Sequence, residues 1–480
     1  MLLSTLLWSS AAATVHASID SVRIVRTIHK DVAIVGGGGS GAYSAVRLRE
    51  DYGVSVVVIE KEIMLGGHVN TWVDPATGRG YDAGVQNYID LANATAFFAR
   101  LNVTTQANVR ASPAQVYADF TTGVELTNYS PPAAADRTDA LKRYLALAEQ
   151  YLPVMEPGWW TFPEPVDIPA DLLLPFRDFV IKHNLTAGVP QIFATTGFGI
   201  HDLLGSLTMW VMRSFNIDMV RTLLGIDAAF VPASRKNQDL YDAIQRLLGS
   251  NALLSSTVTK AERSEKGGVV LEVRSSVTGK TTRIVAKKLL FTAPPTNANM
   301  VPFDLDSIEK SVFGDFSYSA TYVGVVSHPS LPANTSILNT PVAAQPANWL
   351  EAIPKAPFNT RFDNYPNSSY YRVIAVGDQT YTESQARQTI IESFDKLMAG
   401  GTITQTSPPE PLKFLSFEPH GLVSAYASRE ALESGFIQRL NGLQGRRSTW
   451  YTGAAWSVHI STSLWVFTDT LLLKLVASLR

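Results

Sequence analysis

The chain has 480 residues, 46% of them apolar and 17% charged, which exceeds one ordinary hydrophobic core and excludes a disordered or collagen-like polymer. Its 40 basic and 42 acidic side chains leave a net charge of −2, with no surplus to neutralise a phosphate backbone, so nucleic acid is not an expected partner. Cysteine is absent, which removes disulfides, thiolate zinc sites, iron–sulfur clusters and thiol nucleophiles, and no metal site is expected.

Residues 2–15 form an uncharged apolar run followed by the small-x-small pattern Val15-His16-Ala17. A run of about fourteen residues is too short to span a bilayer and reads as a signal peptide over residues 1–17, which predicts a secreted or secretory-pathway protein. Asn-x-Ser/Thr sequons at Asn93, Asn102, Asn128, Asn184, Asn334 and Asn367 point the same way, towards a glycoprotein. The apolar stretch 464–479 contains Asp469 and Lys474 and reads as a packed helix, so no membrane span is expected.

Asp31-Val-Ala-Ile-Val35 is suited to a buried parallel strand and leads into Gly36-Gly37-Gly38-Gly39-Ser40-Gly41, with Ala42, Ala45 and Val46 then at helical spacing. In this GxGxxG, Gly36 permits the tight turn, Gly38 brings backbone N–H groups up to a pyrophosphate, and Gly41 lets the helix pack on the strand. Gly39 and Ser40 supply further N–H groups at the helix N-terminus. A second apolar strand, Val54-Ser-Val-Val-Val-Ile59, ends in Glu60, about twenty residues beyond the glycines, where a carboxylate accepts from ribose hydroxyls. The fingerprint predicts a dinucleotide and leaves FAD and NAD both open.

The next run, Glu60-Lys61-Glu-Ile-Met-Leu65-Gly66-Gly67-His68, resembles the extended motif of the FAD-dependent amine-oxidase-like flavoproteins, in which Leu-Gly-Gly-Arg follows the ribose acid. Tyr81-Asp82-Ala-Gly84 resembles the family's Asp-x-Gly segment near the flavin. Further on come an amphipathic helix over Gln238–Leu248, the run Leu253-Leu-Ser-Ser-Thr-Val258, a hairpin of 269–274 with 283–291, and Thr292-Ala-Pro-Pro295. In the resembled family the residue at Val258 lends backbone groups to the adenine. Trp450-Tyr451-Thr-Gly453-Ala454-Ala455-Trp456 resembles the closing FAD motif, with small residues where backbone approaches the isoalloxazine. A fungal branch of the family, whose members oxidise indole alkaloids, shares the look of Ser44-Ala-Val-Arg-Leu-Arg-Glu-Asp51 and Asp74-Pro-Ala-Thr-Gly78.

The resemblance implies an α/β fold. A discontinuous Rossmann-like FAD-binding domain of glutathione-reductase type (31–130, 225–300 and 416–480) would carry an inserted α+β substrate domain (131–224 and 301–415). It also implies a flavin oxidase or dehydrogenase acting by hydride transfer to N5 on a C–H or C–N bond of a small, amine- or alkaloid-like substrate, with oxygen or another electron acceptor. Trp450 and Tyr451 are expected as an aromatic wall over the flavin. His68 is expected to hydrogen-bond the ribityl or phosphate region, with a covalent 8α-histidyl link as the sharper alternative. His201 reads as a structural histidine, and no lysine stands out as the water-holding lysine common in amine oxidases. Two other readings stay open: a redox-neutral lipid double-bond isomerase and an inactive FAD-binding scaffold. A hydrolase is disfavoured, since neither GxSxG nor HExxH occurs.

Overall fold

Val32, Ala33 and Ile34 have no exposed surface, because their strand, Ile24–Val35, is covered on both faces and flanked in parallel by Val56–Ile59 and Thr281–Phe291. An uninterrupted apolar run is what such a position demands. The computed structural model describes residues 24–109, 113–197, 199–406 and 410–480, so the expected leader over 1–17 lies outside the described residues.

Ala252–Leu253 extends this sheet beyond Val56–Ile59, and Thr449–Tyr451 pairs in parallel with Leu289, Leu290 and Phe291. On the other side the expected hairpin forms as Gly268–Ser275 against Thr281–Phe291, followed by Ser256–Ser264. Helix Gly39–Val46 packs on the C-terminal helix Ser461–Ala477 through Tyr43 and Trp465, whose rings stack at 4.7 Å and 4°. Helix Gln238–Leu248 turns Leu240, Ile244 and Leu248 into the core, as the periodicity predicts.

A second seven-stranded sheet runs in the order Lys413–Tyr426, Ser317–Ser327, Tyr370–Asp378, Phe358–Asn364, Thr335–Asn339, Ala114–Asp119, Val124–Glu125. Helix Glu383–Ala399, opened by a Thr382–Gln385 capping box, covers it with Ile390, Phe394 and Leu397. The segment 131–224 is mostly helical, led by the 22-residue helix Ala134–Met155. Two boundaries differ from the expected ones. Ala114–Asp119 finds its parallel partner in Thr335–Asn339, and Lys413–Tyr426 pairs with Ser317–Ser327, so both belong to the second sheet. One buried cluster runs through both units, from Ala33 and Val57 to Phe179 and Trp210. Among the described residues no helix is long and apolar enough to cross a membrane.

Candidate functional site: a glycine-walled cofactor cleft

Gly36 has φ +99°, in the region that favours glycine, and a Cβ there would lie 2.6 Å from Thr292 Oγ1. The Thr292 hydroxyl bonds the carbonyls of Val35 and Gly36 at 3.0 and 3.1 Å and so pins the turn. A Cβ on Gly41 would sit 2.0 Å from the Gly36 carbonyl oxygen, which is the close helix–strand approach that the fingerprint exists to allow. The helix is capped by Gly38 with no side-chain bond to its first turn, so its N–H groups remain available to an anion. Glu60, 6% exposed, accepts from Gly37 N at 2.6 Å and Glu62 N at 2.9 Å. Each carboxylate oxygen keeps a lone pair for a ribose hydroxyl. Lys61 points to solvent and pairs with Glu62 at 3.4 Å.

The Leu65–His68 bend closes on the same turn. Gly66 N donates to Gly37 O at 3.0 Å, and a Cβ on Gly67, whose φ is +59°, would lie 2.9 Å from Gly38 Cα. Two glycine backbones therefore face each other with no side chain between them. Gln238, on the helix behind, donates to Leu65 O at 2.8 Å and leaves its Oε1 buried and unpartnered. Gly453 completes the wall: φ is +118°, and a Cβ there would be 3.0 Å from Thr292 O and 3.9 Å from Ser40 Oγ. Ala455 is buried and Ala454 half-buried beside it. Ser461, opening the C-terminal helix, comes within 3.9 Å of the Cβ position of Gly39, and Trp465 Nε1 donates to Gly39 O at 3.0 Å. That helix also lacks a side-chain cap, and Thr462 Oγ1 is buried without a partner. Val258 is buried and paired with Val273, on the strand that Ser256 N ties to Glu60 O at 2.8 Å.

The early turn, the bend and the late corner thus come together, with uncapped helix N–H groups, an orphaned Thr462 hydroxyl and no side chain to block a pyrophosphate. These residues fit a dinucleotide. The NAD(P)-binding Rossmann-like domain family matches residues 34–101. The chain is 32% identical to beta-cyclopiazonate dehydrogenase of Aspergillus oryzae, over 94% of both chains. It is 33% identical to the FAD-dependent oxidoreductase oblC of Cochliobolus heterostrophus, over 94% of this chain and 92% of that one. The chain belongs to this family of FAD-dependent oxidoreductases.

Solved structures of the same fold include a fatty acid isomerase from P. acnes (TM-score 0.70, 16% identical, 93% of this chain and 98% of that one). A cyclohexylamine oxidase from Brevibacterium oxydans follows the fold at TM-score 0.58 (16% identical, 94% and 99%). In this FAD-dependent oxidoreductase, Gly36, Gly38, Gly39, Ser40, Gly41, Glu60, Gly66, Gly67 and Gly453 would line the cofactor, which supplies a two-electron acceptor when bound. Thr292 and Gln238 join them. The sequence marked them only as the openings of Thr292-Ala-Pro-Pro295 and of helix Gln238–Leu248, and their part in the site was not legible because each acts across more than 170 residues.

The aromatic pair departs from expectation. Tyr451 has no exposed surface, its ring stacks on Trp456 at 5.0 Å, and its hydroxyl is held by Glu309 at 3.0 Å and Arg263 at 3.2 Å. Trp450 is 8% exposed and packs among core residues that include Trp465. As members of the Thr449–Tyr451 strand they face the packed layers on either side of the sheet, so neither forms a wall over a cleft.

His68 ends the Leu65–His68 bend. It lies deep in the protein yet keeps much of its surface on open space, and its ring stacks on His420 at 4.4 Å and 16°. Burial lowers the pKa of both imidazoles, which favours neutral rings. His201 bonds Ser319 Oγ through Nδ1 at 3.0 Å, a structural contact.

Asp82 sits beneath the bend, accepting from Thr71 Oγ1 and from Asn237 N at 3.2 Å, and burial pushes its carboxyl up to about 7. In the unfolded chain the same group loses its proton near pH ~4. Between those values the folded state binds the extra proton, so Asp82's contribution is complete below about pH 4 and is lost as pH rises to about 7, on the order of 4 kcal/mol in all. Asp82→Asn is expected to flatten that part of the stability–pH curve, measured by denaturant unfolding from pH 4 to 8. An unchanged slope would contradict the assignment.

Proposed function

We propose that this enzyme is a flavin oxidase or dehydrogenase taking a hydride from an activated C–H or C–N carbon of a small organic, amine- or alkaloid-like molecule, with oxygen or another acceptor completing the cycle. The observation that carries the reading is the convergence of Gly38, Gly67 and Gly453 on one cleft at the seam with the second sheet. Placing the electron acceptor there brings it to the boundary with the substrate unit, where surrounding side chains exclude water and orient a substrate. The test is a visible spectrum of purified protein before and after denaturation, then peroxide or dye reduction against an amine and indole panel. Released FAD together with acceptor reduction is expected. A colourless protein, or turnover that rearranges a double bond with no acceptor reduced, would overturn it.

The proposal includes passage through the secretory pathway. All six sequon asparagines are exposed, and Asn93, Asn102, Asn184, Asn334 and Asn367 adopt left-handed backbone conformations that mark turns. Exposed turns are where an oligosaccharide can be transferred without unfolding a core. Protein expressed through a eukaryotic secretory route is expected to drop in mass on peptide-N-glycosidase treatment, in steps lost one by one in Asn→Gln variants. An enzyme of unmodified mass would count against this route.

A further inference from the structure

Under helix Val189–Thr196 the second sheet holds a cavity of about 40 Å³, walled by Tyr117, Tyr129, Phe193, Asn339, Thr360 and Arg361 among others. It shares no residue with the cofactor site. Its strands, Ala114–Asp119, Thr335–Asn339 and Phe358–Asn364, lie towards one end of the sheet, and Lys413–Tyr426, which carries His420, forms the opposite edge. Three strand spacings, about 14 Å, separate that edge from Phe358–Asn364.

Thr360 and Arg361 both line the cavity, although neighbours along a regular strand face opposite sides. A β-bulge makes this possible. Asn359 pairs with Ala375 and Phe362 with Val373, which leaves one extra residue between them and re-aims a side chain. Thr360 is 4% exposed, and its Oγ1 is buried without a partner. Arg361 lies deep in the protein with part of its surface on open space, and its Nη2 donates to the Ala194 carbonyl near the end of the helix. That bond occupies one of five guanidinium N–H groups.

Among the described residues the cavity wall contains no carboxylate. Asp363, two residues along the strand, is paired with Arg372 at 2.8 Å and accepts from Ser336 Oγ at 2.9 Å. Burial pulls the Arg361 pKa down despite the charge of Asp363. The neighbouring polar groups are already engaged: Tyr117 Oη donates to Gln115 Oε1 at 2.8 Å, and Asn339 Nδ2 to Asn359 O at 2.9 Å. A guanidinium with spare donors and an orphaned hydroxyl therefore meet in a space that is otherwise largely apolar.

We propose that Arg361 and Thr360 bind a small monovalent anion, a short-chain carboxylate or a halide, at a site apart from the cofactor cleft. The single cation sets the charge, because a divalent anion would keep an unmatched charge against the aromatic walls. The volume sets the size, with room for about three waters or one anion as small as acetate. The spare guanidinium N–H groups supply charge-assisted hydrogen bonds and the Thr360 hydroxyl a further donor. Since Arg361 also holds the Ala194 carbonyl, a bound anion ties helix Val189–Thr196 to the sheet.

The test is thermal unfolding of the purified holoenzyme titrated with sodium acetate, sodium chloride or acetamide, at an ionic strength fixed with a bulky sulfonate. At least one of the two anions is expected to raise the unfolding midpoint saturably, by mass action on the folded state, with an apparent affinity about tenfold or more above that of acetamide. Acetate acting at the lower concentration marks a carboxylate site, and chloride doing so marks a halide site. Arg361→Met is expected to lose the shift, and Thr360→Val, which keeps the cation and the strand-favouring branched side chain, to weaken it several-fold. If Arg361→Met does not fold, Thr360→Val carries the test. No saturable shift with either anion, an equal shift with acetamide, or an unchanged shift in the variants would overturn the site.

Discussion

Gly67→Val is expected to purify without its yellow colour. The valine must adopt a φ of +59°, strained for a β-branched residue, and its Cβ would stand 2.9 Å from Gly38 Cα. Relief requires the bend to swing away from the glycine turn, breaking the Gly66 N to Gly37 O bond that joins them. The space so altered is where the pyrophosphate would lie, so FAD affinity should fall at least ~100-fold, about 3 kcal/mol. Flavin absorbance per protein, on purification and after FAD titration, reads the effect. Gly78→Ala provides the control. Its φ of +72° is equally left-handed, but nothing lies within 4 Å of the added Cβ, so it should lose some stability and keep its flavin. Wild-type occupancy in Gly67→Val would show that the two loops do not clasp the cofactor.

Glu309→Ala should produce the largest loss of stability of any single charge removal in the protein. Arg263 and Glu309 form a bidentate pair at 2.7 and 2.8 Å, their side chains 0% and 1% exposed. Arg447 adds a second cation at 3.1 Å and Tyr451 a hydroxyl at 3.0 Å. Removing the carboxylate leaves the buried guanidinium with only the part-exposed Asp304, 3.1 Å from its Nε, as counter-ion, at a cost of about 3 kcal/mol. The strand Thr449–Tyr451 then loses its anchor just before Gly453, so flavin retention should fall with stability. The double replacement Arg263→Met with Glu309→Leu should recover much of the loss, because most of the penalty is the stranded charge. Denaturant unfolding of the three proteins decides it. A cost under about 1 kcal/mol for Glu309→Ala, as for an exposed pair, would show the pair to be unimportant.

The legible and illegible parts of this protein divide along sequence distance. Gly36 to Gly41 with Glu60 could be read because a strand, a tight turn and a helix N-terminus are contiguous. Their geometry fixes which positions must be glycine and where the ribose acid falls. Helix Gln238–Leu248 and the hairpin of Gly268–Ser275 with Thr281–Phe291 were legible for the same reason, since periodicity is a local property of the backbone. Even the packed nature of the C-terminal helix followed from two charges in an apolar run.

Long-range partnership could not be read in this way. Nothing in Ala114–Asp119 announces a parallel neighbour more than 200 residues away, so the segment looked like part of the first domain. Trp450 and Tyr451 stand just before Gly453 and looked like substrate aromatics. Only the sheet pairing with Leu290 and Phe291, and the burial of Arg263 and Glu309 beside them, turn them into the core. His68 was expected near the cofactor, whereas the stacking of His420 against it depends on how the second sheet docks. The amino-acid sequence by itself determined the cofactor-binding turn, because that chemistry is carried by neighbouring backbone groups. The tertiary structure alone decided which side chains meet across the cleft, because burial and charge pairing are properties of packed surfaces that no single segment contains.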